Sequence, residues 1–152
     1  MASTTSGSFI SHKYGNIYLE LSWSSTKKSN GVTTLSWTVT GRGAPYLDAT
    51  YFRTTASLLI YGNNVWNSGT NAWVYYNDKV AGSGSFDITH TGSGELAFTA
   101  EFRVSKMYTS YGTRQDTSST WRLPSNPPYY TCTAPSISCS ASYVKPNGKL
   151  KI

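Results

Sequence analysis

Charge is scarce in this chain of 152 residues: Asp, Glu, Lys and Arg together make up 13% of it. Surface ion-pair networks are therefore not its means of solvation. Histidine is rarer still. His12 and His90 are the only two, neither has His, Cys, Asp or Glu at metal-ligand spacing, and so no metal and no cofactor is expected. Cys132 and Cys139 are the only cysteines; on an extended strand they would sit about 23 Å apart on opposite faces at ~3.3 Å per residue, so two free thiols are expected unless a tight turn forms near Pro135. No apolar run approaches the roughly 20 residues of a membrane-spanning helix. The start, MASTTSGSFISHK, lacks a basic region followed by an apolar one, so synthesis in the cytoplasm without a signal peptide and no membrane insertion are expected. Also missing are a G-x-S-x-G elbow, a P-loop and a Cys-His constellation. No enzyme is expected.

What the chain does have is aromatic residues, with 12 Tyr and 5 Trp, and many hydroxyl and amide side chains. Large amphipathic rings suit a sandwich core, a sugar platform or a protein interface alike. The net charge of +6 arises from 13 basic and 7 acidic residues that are scattered, apart from Lys27 with Lys28 and the set Lys145, Lys149 and Lys151. No clustered basic face emerges, so no nucleic-acid partner is expected.

The patterning is period two throughout, with no capped 3.6-residue apolar stripe. Ile17, Leu19, Leu21 and Trp23 alternate with Tyr18, Glu20 and Ser22, giving a strand over 16–24. SSTKKSNG follows as a loop. Leu35, Trp37 and Val39 then alternate with Thr34, Ser36 and Thr38 in a second strand over 32–40, antiparallel to the first. Residues 41–50 form a long loop in which Arg42, Tyr46 and Asp48 are candidates to line a surface, although most loops only connect. SLLIY at 57–61 is a strand, Gly62, Asn63 and Asn64 a turn, and Val65 with Trp66 and then AWVYY at 72–76 further strands. The best-patterned stretch is 85–104, where Phe86, Ile88 and His90 precede Gly92-Ser93-Gly94 and Leu96, Phe98, Ala100, Phe102 and Val104 follow. It reads as a hairpin. A last strand is expected at 113–123, with Thr117, Ser119, Trp121 and Leu123 on one face.

These elements give an all-β fold, an antiparallel β-sandwich of jelly-roll or Ig-like type, with a C-terminal Pro-rich linker and β-hairpin extension. The expected divisions are a flexible arm at 1–7, the sandwich at 8–124, a linker at 125–131, and at 132–152 a hairpin extension or the start of a second Ig-like domain. PSNPPYY from residue 124 marks the boundary, because its prolines cannot sit inside a sheet and stiffen the chain into a spacer. An isolated hairpin is marginal in water, so the extension must pack on something.

Chemistry-bearing candidates are few. His90 continues the inward alternation of its strand and is read as structural, with its ring bonded to loop backbone. Asp87 and Glu101 fall on solvated faces, which suits surface charges better than the fixed carboxylate pair of a glycosidase. Candidate ligand or interface aromatics are Tyr46, Tyr51, Trp73, Tyr75, Tyr108 and Tyr111. Tyr129, Tyr130, Val144, Leu150 and Ile152 form a candidate assembly segment.

The order of these motifs resembles the sandwich domain of tailed-phage minor structural proteins, found in tail-tip and fibre components. The carrying residues are a first strand ending at Trp23, a V-x-W-x-V-like strand at Leu35, Trp37 and Val39, a T-H-x-x-x-G turn at Thr89, His90 and Gly94, an F-x-F-like strand at Phe98 and Phe102, and the closing Leu123-Pro124. The likeness spans 8–124, and the tail is similar to the start of a fibronectin-like or Ig-like repeat. The resemblance implies a non-enzymatic virion protein of tail tip, fibre or capsid surface. Its implied partners are other virion proteins and itself, trimers being common in such components, with a host-surface glycan as a further candidate. A carbohydrate-binding module or bacterial surface adhesin is the alternative expectation.

Overall fold

Ten strands and no helix make up the described part of the chain, which in this computed structural model comprises residues 3–13, 16–43, 54–70, 72, 74, 78–105 and 114–128. In order they are β1 (Ser6–Ile10), β2 (Tyr18–Ser29), β3 (Val32–Arg42), β4 (Thr55–Ile60), β5 (Asn63–Asn67), β6 (Val80–Thr89), β7 (Leu96–Phe98), β8 (Ala100–Ser105), β9 (Arg114–Thr117) and β10 (Trp121–Leu123). One sheet has the order β1-β2-β3-β6 and the other β5-β4-β8-β9, with β10 and β7 forming a two-stranded ribbon. Every pairing is antiparallel. The fold is an antiparallel β-sandwich.

Period-two alternation produces the core directly. Leu19, Leu21, Leu35 and Val39 of the first sheet meet Leu58, Ile60, Ala100, Phe102 and Val104 of the second, and all are essentially inaccessible to water. Their outward neighbours, such as Ser22, Ser24 and Ser36, are exposed. At roughly 1.5–3 kcal/mol for each large apolar side chain removed from water, this double layer supplies the main driving force for folding.

Several expectations are corrected. SSTKKSNG is not a loop: β2 runs on to Ser29, and the β2–β3 reversal is confined to Asn30 and Gly31, where Gly31 takes φ 81°. Residues 6 and 7 of the expected arm are strand, with Ser6 opposite Ser24 and Gly7 opposite Trp23. The turn after β4 sits one residue earlier than its glycine and asparagines suggest. Tyr61 and Gly62, both with positive φ (53° and 76°), form it, and Asn63 and Asn64 belong to β5; two residues of positive φ suit the twist of a tight hairpin.

The largest correction concerns 85–104. Its two halves do not pair with each other: β6 pairs with β3, whereas β8 pairs with β4 and β9. The glycine turn carries the chain from the first sheet into the β7–β10 ribbon, from which it enters the second sheet at β8. The second half is itself divided at Thr99, whose carbonyl accepts the Tyr61 N–H at 3.1 Å, so Leu96–Phe98 joins the ribbon and Ala100–Ser105 the sheet. The last strand is split in the same way. Ser118 is the break, buried, with its N–H donating to the Ala100 carbonyl (2.9 Å) while its Oγ accepts from the Ala100 N–H (3.0 Å). Thr117 and Ser119 are exposed, so they share no buried face with Leu123.

Nor is the proline stretch a free spacer where it is described. Asn126 is buried, its Nδ2 donating to the Ser29 and Val32 carbonyls (both 3.0 Å) and its Oδ1 accepting the Gly31 N–H at 3.2 Å. A Cβ on Gly31 would lie 2.7 Å from Pro128 Cα. Residues 126–128 are thus held against the β2–β3 turn. The C-terminal hairpin extension and both cysteines lie outside the described residues.

Candidate functional site

A sandwich has two open sides where the edges of its sheets face each other, and in this chain the two differ. On the first side β1 faces β9. Phe9 stacks on Phe102 with ring centroids 5.8 Å apart, and the His12 N–H donates to Asp116 Oδ2 at 3.0 Å. The β7–β10 ribbon completes the closure: Trp23, Phe98 and Trp121 form a cluster with centroids 5.0–5.5 Å apart, and the Thr4 N–H donates to the Arg122 carbonyl at 2.8 Å. Gly7 lets β1 close on this cluster, because a Cβ there would lie 2.6 Å from the Trp23 indole nitrogen.

On the second side β6 faces β5, and between them lies a groove of about 620 Å³. Its apolar lining is Trp37, Val65 and Phe86; Asn63, Asn64, Ser83, Ser85 and Asp87 supply polar groups. The hollow originates in β6. Register with β3 sets Gly82 opposite Val39, Gly84 opposite Trp37, Phe86 opposite Leu35 and Ile88 opposite Thr33, so the inward series of β6 begins with two residues that have no side chain. The neighbouring indoles take part of that space. A Cβ on Gly84 would come within 2.8 Å of the buried Trp37 ring, and one on Gly82 would collide with the half-buried Trp66.

The outward series Ser83, Ser85, Asp87 and Thr89 is exposed. Asp87 is the one charged residue in β6; Lys28 Nζ at 2.6 Å and Thr34 Oγ1 at 2.8 Å donate to it, and the Lys28 hydrogen bond is the main reason its carboxyl is held below the usual range. At the other end of the strand pair, Arg42 bridges Glu20 (2.6 Å) and Asp78 (3.1 Å), and the Glu20 hydrogen bond is the first cause of its raised pKa. Arg42 is therefore the end of a strand and the centre of a small surface ion network, whereas Asp87 with Lys28 and Glu101 with Arg103 (2.7 Å) are separate surface ion pairs.

Beyond β6 lies His90, 2% exposed. Its Nε2 is 2.8 Å from Thr33 Oγ1, which also accepts from Asn126 Nδ2 at 3.3 Å, and its Nδ1 has no partner. The expected structural role fits this burial, but the ring partner is a threonine hydroxyl; it is the His90 backbone N–H that bonds a loop carbonyl, that of Gly31, at 2.8 Å. Burial pushes the imidazole pKa down. A smaller hollow of about 280 Å³ adjoins it, bordered by Tyr61, Gly92 and Glu95 among others.

Among the described residues no three of His, Cys, Asp and Glu are grouped to hold a metal ion, and no helix is long and apolar enough to cross a membrane. The aromatics singled out from sequence, Tyr46, Tyr51, Trp73, Tyr75, Tyr108 and Tyr111, all lie outside the described residues, as do Tyr129, Tyr130, Val144, Leu150 and Ile152. Sequence reading missed the groove. The available signal was AGSGS in β6, glycines at alternate positions of a strand, which marks a close approach or an empty face.

No family model matches the chain, and no curated protein matches it. Among solved structures it is similar to the GAE domain of GGA2p from Saccharomyces cerevisiae, at 14% identity and a TM-score of 0.38 over 78% of this chain and 99% of that one. So loose a likeness assigns no role to any residue of this chain.

Proposed function

We propose that this chain is a non-enzymatic assembly protein, a structural component of a tailed-phage virion that works by docking against other protein subunits. The observation that supports assembly is the difference among sheet edges. β1, β5 and β9 are four or five residues long, β5 is bulged at Val65, opposite Leu58–Leu59 of β4, and β9 carries Arg114 and Asp116. β6 has ten residues, no Lys and no Pro, and its one irregularity lies at its start, opposite Val39–Thr40. Soluble proteins guard long edges because unpaired N–H and C=O groups recruit other strands. Among the described residues nothing guards this edge, and beside an aromatic groove such an edge is a surface for a partner.

The virion part of the reading rests on the motif order Trp23, Trp37, His90, Phe98, Phe102 and Leu123-Pro124. An antibody against the chain tests it: label on intact, purified particles from the source lysate is expected, and unlabelled particles refute it. One feature favours the alternative of a glycan-binding module, namely the amides and hydroxyls of Asn63, Asn64, Ser83 and Ser85 around the groove's rings. Calorimetric titration with cell-wall polysaccharide separates the two, since saturable heat that disappears in Phe86→Ser supports the module and no heat supports assembly.

A further inference from the structure

We infer that the partner of the β6 edge is β6 of a second copy, paired antiparallel about a two-fold axis through Ser85, so that two four-stranded sheets become one of eight. This deepens the assembly reading and rests on it.

The first argument is availability. β6 is the terminal strand of its sheet, and among the described residues nothing pairs with its outer edge. In an antiparallel strand the backbone groups point alternately to the two sides, so half of those in this ten-residue strand face away from β3.

The second argument is register. Directly opposed residues in an antiparallel pair share a face, so a two-fold pairing that keeps Gly84 and Phe86 inward must pass its axis through a residue and not between two. With the axis at Ser85, Phe86 of each copy stands opposite Gly84 of the other, and Ile88 opposite Gly82. Large inward side chains meet the two positions that have none. The groove then becomes the space into which the other copy's Phe86 ring fits, against Trp37, which already lies over Gly84. On the outer face Ser83 meets Asp87, a hydrogen-bonding pair, and Ser85 meets itself.

The third argument is charge. Each chain carries +6, which opposes self-association at long range, yet the contact stretch has only Asp87, already bonded to Lys28. Four residues separate the two Asp87 along the joined strands, about 13 Å at ~3.3 Å per residue, beyond the Debye length of about 8 Å at physiological salt. A strongly charged partner finds nothing on this edge to select it; an uncharged strand of the same length does.

The test uses the full chain with Cys132 and Cys139 replaced by serine. Sedimentation equilibrium should give twice the 16.6 kDa chain mass. Ser85→Cys should then crosslink the dimer under mild oxidation, because opposed Cα atoms about 4.5–5.5 Å apart fall within disulfide range, while Ser83→Cys, about 13 Å from its own copy, should not. Ser85→Lys places two like charges face to face and should weaken the dimer roughly tenfold or more, whereas Ser22→Lys on the outer face of β2 should leave it unchanged. A monomeric or trimeric mass, or crosslinking at Ser83 as efficient as at Ser85, overturns the inference. A monomer that still labels on virions would overturn the β6 dimer alone, and a dimer absent from virions the assembly role alone.

Discussion

The two open sides of the sandwich are built from the same ingredients and end in opposite states. On the β1/β9 side, glycine at position 7 admits an indole and Phe9 reaches across to Phe102, so the sheets are joined by rings and by the His12–Asp116 hydrogen bond. On the β5/β6 side, two glycines again lie against indoles, Gly82 against Trp66 of the facing β5 and Gly84 against Trp37 of its own sheet, but among the described residues no pair of rings spans this side as Phe9 and Phe102 span the other, and a groove of about 620 Å³ remains. Glycine beside tryptophan closes a side only when a neighbouring large residue completes the contact. Where no such residue lies among those described, a second chain can provide it.

The contrast can be broken most severely at its closed side. Phe102→Ala removes a fully buried ring that both fills the core and stacks on Phe9, and should cost about 3–5 kcal/mol in urea denaturation. On the open side the two glycines should separate. Gly84→Ala forces the buried Trp37 to shift and should cost about 1–3 kcal/mol, the range for overpacking; Gly82→Ala should cost less, since the half-buried Trp66 has room to swing away. Equal losses at the two positions would remove the distinction. Asp116→Ala deletes one polar link of the closed side, that to the His12 N–H, and should cost about 1 kcal/mol, the usual net value of one hydrogen bond. The smallest effect is a pH slope. Folding holds the His90 pKa below its unfolded value near about 6.5, so the unfolded chain binds the proton more readily. The contribution is therefore full above about pH 6.5 and declines as pH falls through that value toward the lower folded one. His90→Gln should flatten the fall of the thermal midpoint between about pH 6.5 and 5 relative to the parent chain. Asp87, held low mainly by Lys28, loses its contribution only as pH falls through the ordinary carboxylate value of about 3.9 and below, so its loss begins at lower pH than that of His90.

Individual strands were legible because alternation is a property of one strand at a time. Leu19, Leu21 and Trp23 announce an inward face whatever lies beside them, and so do Phe98, Phe102 and Val104. Pairing was not legible in the same way. Gly92-Ser93-Gly94 permits both a hairpin and a crossing between layers, and nothing local to 85–104 distinguishes them. Ser118 and Thr99 break their strands through hydrogen bonds to Ala100 and Tyr61, partners distant in the chain. Asn126 lies among prolines that suggest a spacer, and only the approach of Gly31 and Thr33 turns it into a buried clasp.

By itself, then, the sequence determined an all-β sandwich and most of the residues that fill it, because burying every second side chain of an extended strand requires no knowledge of the neighbour. Tertiary structure alone decided that β6 is an edge among the described strands, that its glycines face Trp37 and Trp66, and that among the described residues one side of the sandwich is closed by rings while the other holds a groove. Those outcomes depend on which strands become neighbours, a choice set by contacts between segments far apart in the chain that no local pattern encodes.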